Sequence, residues 1–316
     1  MRRRLPPVLR ERDYTRLLAV SVAVGFGQQM VFVAVGWQVY DISRNPFHLG
    51  LVGLAEAPEP SGETMRVLAV GLCGSDVEKI GRSAAGTVLG HEVVARRADG
   101  ARVALLHHLP CGECERCRAG HESTCAAFAE PTIVPGGFAE LVVATDGVEL
   151  PDEVDDTTGT YVEPLACVLR GAERLPRGRV LVVGHGFVGR LFSEVLSRRG
   201  DEVFAIDSNP ERSGQAPDGP VDAAVLCAPA APLDAVVPGG TVLVFAGAGP
   251  VDLDDVYRRE LTLTGSRSST PRHMEQAATL LPDLDLPRPI VLPLARFAEG
   301  LDLYRSGRAL KVVFTP

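Results

Sequence analysis

Four cysteines, Cys111, Cys114, Cys117 and Cys125, fall in the run CGECERCRAGHESTC. Their C-x2-C-x2-C-x7-C spacing brings four soft thiolates within reach of one tetrahedral ion, and zinc suits a closed sulfur site of this kind. Four thiolates leave no open coordination position. The metal is therefore expected to brace a loop, not to act on substrate. Two other readings compete: free thiols in a loop, or a zinc module that binds nucleic acid. The second needs a basic surface. The chain instead has a formal net charge of −8 and a pI of about 5.5, which disfavours nucleic acid, so none is expected as a partner. Only Lys79 and Lys311 among its basic residues are lysines, a skew that reads as coding bias. The other cysteines, Cys73, Cys167 and Cys227, lie far apart and form no disulfide framework. Reduced thiols on a metal imply a cytoplasmic protein. At 316 residues the chain is long enough for two domains with cores of their own.

Upstream of the cluster, alternating apolar residues from Met65 to Val70 suggest a strand that runs into GLCGSD, residues 71–76. The tripeptide Gly90-His91-Glu92 follows. Cys73, His91 and a carboxylate make the ligand set of an open zinc site, whose remaining position takes water or substrate. Taken singly, a cysteine in an apolar run is a core residue and a lone histidine is a hydrogen-bonded one.

Downstream, RVLVVGHGFVGRLFSEVLSRRGDEVFAIDSN at 179–209 reads strand, tight turn, helix, strand. Gly184, Gly186 and Gly189 form G-x-G-x-x-G directly after the strand. Such glycines permit the turn, the approach of a pyrophosphate and the helix–strand contact. Phe187 and Val188 open the helix whose N-terminus would face that pyrophosphate. Asp207 ends the next strand, where an acidic residue takes the ribose hydroxyls. A carboxylate there repels the extra phosphate of NADP, so the expected cofactor is NAD. Further strands are expected at Ala223–Cys227 and Thr241–Ala246. Between Asp207 and Val221 there is room for little more than a loop.

In this order, Cys73, GHE, the four-cysteine loop and the glycine turn resemble the medium-chain zinc alcohol dehydrogenases, most closely the polyol, sorbitol and threonine dehydrogenase branch. The resemblance runs from about residue 55 to the end. It implies an α/β fold, with a GroES-like β-rich catalytic domain and a shortened Rossmann nucleotide-binding domain. It implies two zinc ions, one catalytic and one structural, and hydride transfer from a secondary alcohol or polyol CH–OH group to NAD. The third catalytic-zinc ligand is then Glu92 or Glu163, the latter in YVEPLACVLRG. Cys167 is either a soft fourth ligand or a small buried side chain. Ser75 relays the substrate proton, and Asp76 orients His91. Relatives often carry a histidine where this chain has Glu78, which puts the outer proton path in doubt.

The first sixty residues fit this scheme poorly. Leu17 to Tyr40 carry no charge and follow an arginine-rich start, long enough as a helix to span a bilayer with the N-terminus inside. Residues 12–57 resemble the start of a major-facilitator transporter. A working anchor at 17–40 would place the thiol and cofactor chemistry outside the cytoplasm, so a joined or mis-started reading frame is the expectation, with a peripheral or buried apolar arm as the alternative. The expected domains are 1–57, an apolar N-terminal segment; 58–165, catalytic; 166–287, Rossmann; and 288–316, a return to the catalytic domain. The rival readings are a degenerate dehydrogenase that keeps cofactor and structural zinc without turnover, and a membrane-tethered fusion fragment. Small-molecule alcohols or polyols are the expected partners, and a homo-oligomer stays open.

Overall fold

The computed structural model describes residues 62–84, 86–129, 131–247 and 249–316. The domain expected at 1–57, the apolar run Leu17–Tyr40 and their transporter-like resemblance lie outside the described residues. Among those described, no helix is long and apolar enough to cross a membrane. Residues 62–82 and 88–316 form one compact unit with two sheets.

In chain order the strands are β1 (Glu63–Gly71), β2 (Glu92–Arg96), β3 (Arg102–Leu105), β4 (Ile133–Val134), β5 (Leu141–Ala144), β6 (Gly147–Glu149), β7 (Arg179–Val183), β8 (Glu202–Ile206), β9 (Val221–Leu226), β10 (Val236–Val244), β11 (Thr262–Gly265), β12 (Ile290–Pro293) and β13 (Val312–Thr315). Four helices matter below: α1 (Gly74–Lys79), α2 (Val162–Ala172), α3 (Phe187–Arg198) and α4 (Pro271–Leu280).

The first sheet runs β12-β13-β1-β2-β3-β6, with β5 pairing β1 and β4. It is antiparallel except between β12 and β13. β1 alternates exposed and buried residues at its start and is buried throughout at its end, where β2 and β13 flank it. The last strand, β13, thus pairs with β1 in the middle of the first sheet.

The second sheet is parallel, in the order β11-β10-β9-β7-β8. Its strands are near-continuous apolar runs such as RVLVV in β7, as expected when helices and loops cover both faces. The shortening expected after Asp207 is present: no helix or strand intervenes before Val221, so β8 is an edge. A short strap covers it, with Gly214 N–H to Ala205 O at 3.1 Å and Ala205 N–H to Gln215 O at 3.0 Å. Strand β10 starts earlier than the sequence suggested. The expected strand began at Thr241, but the strand also takes in Pro238-Gly239-Gly240 through a register shift between Val236 and Thr241.

Helix α2 joins the halves, and the boundary expected at 165/166 falls inside it. Its Pro164 sits in the first turn, where the missing N–H is harmless. Leu165, Ala166 and Val168 are fully buried, in one apolar cluster with Ala69 and Val94 of the first sheet and Val180 and Leu191 of the second half. Both sheets therefore share a core, and truncating Leu165 to alanine there would cost about 2–5 kcal/mol.

Candidate active site

Strand register assembles the catalytic candidates. Gly71 of β1 pairs with Glu92 of β2, so the residues just beyond these strand ends, Cys73 and His91, come together although far apart in sequence. Gly71 has to lack a side chain, because a Cβ there would overlap the Glu92 carboxylate. Ligand atoms of Cys73, His91 and Glu92 lie within 4.8 Å of one another. His91 and Glu92 are buried.

Asp76 organises this group. One of its oxygens accepts from the Cys73 amide at 3.1 Å; the other meets the Gly90 amide at 3.3 Å and His91 Nδ1 at 3.2 Å. With Nδ1 engaged, Nε2 of His91 is the nitrogen left for a metal. Burial by itself lowers the His91 pKa, but its hydrogen bonds to Asp76 and Cys73 outweigh this and hold the imidazole well above its usual value. Metal uptake there displaces a proton. Ser75 Oγ lies 3.5 Å from Cys73 Sγ, and Glu78 is exposed.

Glu163, on α2, is buried and lies outside the three-ligand group. Burial raises its pKa, opposed by the nearby charge of His91. Cys167 Sγ donates to Glu163 Oε1 at 3.3 Å, and burial pushes its own pKa well up, the behaviour of an inert thiol.

Lys311 is the residue that sequence reasoning missed. Taken there as part of a compositional skew, it lies buried in the floor of the site. Its Nζ pairs with Glu92 Oε2, donates to Leu72 O at 3.3 Å and sits 4.8 Å from the centre of the Phe187 ring. A lysine leading into the apolar strand VVFT was the available signal. The side chain of Phe187 is buried and packs edge-on against Tyr161, so only its backbone faces the glycine turn.

A second missed feature is a ladder of rings. His91 stacks on His107 with centroids 4.6 Å apart; His107 lies 3.8 Å from His108, and His108 stacks on Phe128 at 4.0 Å. Burial lowers His107 to about 2 and His108 to about 4, so both rings are neutral. Phe128 packs with Cys117 and Cys125.

The four-cysteine loop closes as its spacing implied. Sγ separations are 3.5 Å for Cys114–Cys117, 3.6 Å for Cys111–Cys125 and 4.0 Å for Cys111–Cys117. A tetrahedron with Zn–S bonds of about 2.3 Å has edges of about 3.8 Å. Amides of Cys111, Cys114 and Cys117 point at sulfurs from 3.4 to 3.5 Å. The donor set fits zinc. Buried Arg170 ties this loop to α2, meeting Glu122 at 3.1 Å and Arg267 O at 2.6 Å.

The glycine turn sits at the end of β7, beside β9, where the strand order reverses. Gly184 has φ +88°. A Cβ on Gly189 would overlap the Gly184 carbonyl, whereas one on Gly186 would meet nothing within 4 Å. That open side is the cradle a pyrophosphate needs. Asp207 accepts the His185 amide at 2.7 Å and the Asn209 amide at 2.8 Å, which fixes its carboxylate at the rim. These residues fit a dinucleotide.

Residues 60–152 match the alcohol dehydrogenase GroES-like domain family. The chain is 31% identical to D-altritol 5-dehydrogenase of Agrobacterium fabrum, across 73% of this chain and 85% of that protein. Acetophenone reductase from Geotrichum candidum, solved in complex with NAD, superposes with a TM-score of 0.72 at 19% identity, covering 82% of this chain and 91% of the other. A putative zinc-binding dehydrogenase from Sinorhizobium meliloti bound to NADP gives 0.66 at 25% identity, covering 82% and 94%. The chain belongs to the medium-chain zinc-type alcohol and polyol dehydrogenases, with their GroES-like and Rossmann domains.

Proposed function

We propose that this protein is a zinc-dependent, NAD-linked oxidoreductase that takes a hydride from a secondary alcohol or polyol CH–OH group. The observation that carries the reading is the convergence of Cys73, His91 and Glu92 within 4.8 Å, on a floor where Lys311 touches both Glu92 and the first residue of the helix after the glycine turn. The relative named for altritol oxidation supports a polyol as substrate.

When bound, zinc supplies a Lewis acid that makes the substrate hydroxyl more acidic, and the nicotinamide accepts the hydride. Cys73, His91 and Glu92 hold the metal, with Glu163 facing the same site from α2. Asp76 keeps the His91 ring in one orientation. Lys311 holds Glu92 Oε2 and so fixes the carboxylate beside Cys73 and His91. Ser75, whose hydroxyl lies 3.5 Å from Cys73 Sγ, takes the substrate proton outward. Gly184, Gly186 and Gly189, with the amides of Phe187 and Val188, cradle the pyrophosphate. Asp207 takes the ribose hydroxyls, and its charge favours NAD over NADP.

The second zinc belongs to Cys111, Cys114, Cys117 and Cys125 and is structural. Residues 58–165 and 288–316 make the catalytic domain and 166–287 the Rossmann domain, with α2 shared across the division. Cysteines that are unpaired among the described residues accord with a cytoplasmic site of action. The test is Cys73→Ala. NAD-dependent turnover of a polyol panel should vanish, zinc should fall from two to one per chain, and NADH should still bind. Undiminished turnover would rule the scheme out.

A further inference from the structure

We infer that His107 selects polyhydroxylated substrates, because its ring edge is placed to hydrogen-bond a hydroxyl on the carbon beside the one being oxidised. The inference rests on the dehydrogenase reading above and adds to it a group that chooses among alcohols.

The placement is tight. One face of the His107 ring stacks on His91, with centroids 4.6 Å apart, and His108 lies against it at 3.8 Å. Neither neighbour can yield, since His91 is tied to Asp76 at 3.2 Å and His108 Nδ1 donates to Phe128 O at 2.7 Å. The His107 backbone is held as well, its carbonyl accepting from Thr132 Oγ1 at 2.7 Å. With rings against it on the His91 and His108 sides, the group can offer a ligand only its edge, which carries both nitrogens.

Those nitrogens have no hydrogen-bond partner among the described residues. The contrast is with the other histidines packed into the structure: His91 has Asp76, His108 has the Phe128 carbonyl, His185 has the Arg212 carbonyl and Ser193, and His273 has Thr270. His107 is itself only half-buried, so part of its ring reaches accessible space. A polar edge fixed beside a candidate metal ligand, paired with nothing in the protein, is suited to a ligand group. A neutral imidazole offers one donor and one acceptor, which matches a hydroxyl. A monofunctional alcohol places its only hydroxyl at Cys73, His91 and Glu92, and has nothing for this edge. A polyol has a second hydroxyl within reach.

The experiment compares kcat/KM for xylitol and for 2-butanol, with NAD, in the wild type, His107→Phe and His107→Gln. Phenylalanine keeps a ring in the stack and removes both nitrogens; glutamine keeps a donor and an acceptor. The ratio of xylitol to 2-butanol should fall about tenfold in His107→Phe, the size of one lost hydrogen bond to a neutral partner, and stay within about threefold of wild type in His107→Gln. Calorimetric binding of xylitol to the zinc-loaded enzyme with NADH should weaken in parallel, a readout independent of turnover. Thermal melting confirms that each variant folds, and if the phenylalanine does not, the glutamine and a His107→Leu ratio decide. A wild type that oxidises both alcohols, with a ratio unmoved by His107→Phe, overturns this inference alone. A wild type that oxidises neither overturns the dehydrogenase reading and this inference with it.

Discussion

Replacing Lys311 by methionine removes one charge from a pair whose side chains are 3% and 2% exposed, Lys311 and Glu92 respectively. Methionine keeps most of the stem, so packing changes contribute only about 1 kcal/mol. What is lost is the ammonium group, its bond to the Leu72 carbonyl and the counter-charge of Glu92. Removing one partner of a buried pair costs about 3–5 kcal/mol, because the other is left uncompensated away from water. In a domain of this size each kcal/mol lowers the melting temperature by about 2–4 °C. The metal-free variant should therefore melt roughly 6–20 °C below wild type. Glu92→Gln alone leaves Lys311 stranded and should lose a similar amount. The double variant holds no uncompensated charge and should recover most of either loss. Zinc loading should shrink the Lys311→Met loss, since a cation held by Glu92 restores the missing charge. The assay is urea unfolding of chelator-treated protein followed by far-UV circular dichroism, with the four proteins forming a double-mutant cycle. A coupling energy below about 1 kcal/mol would refute the argument that this pair is an energetic unit.

Three further substitutions separate structure from binding. Gly186→Ala meets open space, so the protein should keep its melting temperature while NADH affinity, read by fluorescence titration, drops at least about tenfold, as expected when a cradle is filled. Gly189→Ala runs into the Gly184 carbonyl and should instead destabilise the fold by about 1–3 kcal/mol; equal behaviour of the two variants would sink the assignment. Cys117→Ser should remove one zinc per chain and lower the melting temperature, with turnover falling only as folded protein is lost. A variant that stays fully folded yet loses turnover would contradict a purely structural metal.

The legible parts of this protein were those written in local spacing. The glycine turn was readable because each glycine answers a requirement within a few residues: Gly184 takes a positive φ, and Gly189 lets the helix approach the turn. The strap after Asp207 was readable from length alone. The start of β10 was not, because a Pro-Gly-Gly run inside a strand looks the same as a turn until its register shift is seen. Lys311 and His107 were missed for a different reason. The only local hint was a lysine leading into an apolar strand, and their partners, Glu92 and His91, are reached only across paired strands and stacked rings.

The amino-acid order by itself determined which residues are candidate ligands, the spacing of the four-cysteine loop, the glycine turn and the family to which they belong. Those depend on short-range geometry: how far a thiolate reaches, and which residues tolerate a tight turn. Only the tertiary structure decided that Gly71 faces Glu92 and so brings Cys73 to His91. The same packing buries Lys311 between Glu92 and Phe187, and runs a ladder of rings from His91 to Phe128 at the four-cysteine loop. Strand register and the closing of a shared core bring together groups distant along the chain. The energy of a buried charge or of an unpaired ring nitrogen exists only once water has been excluded around it.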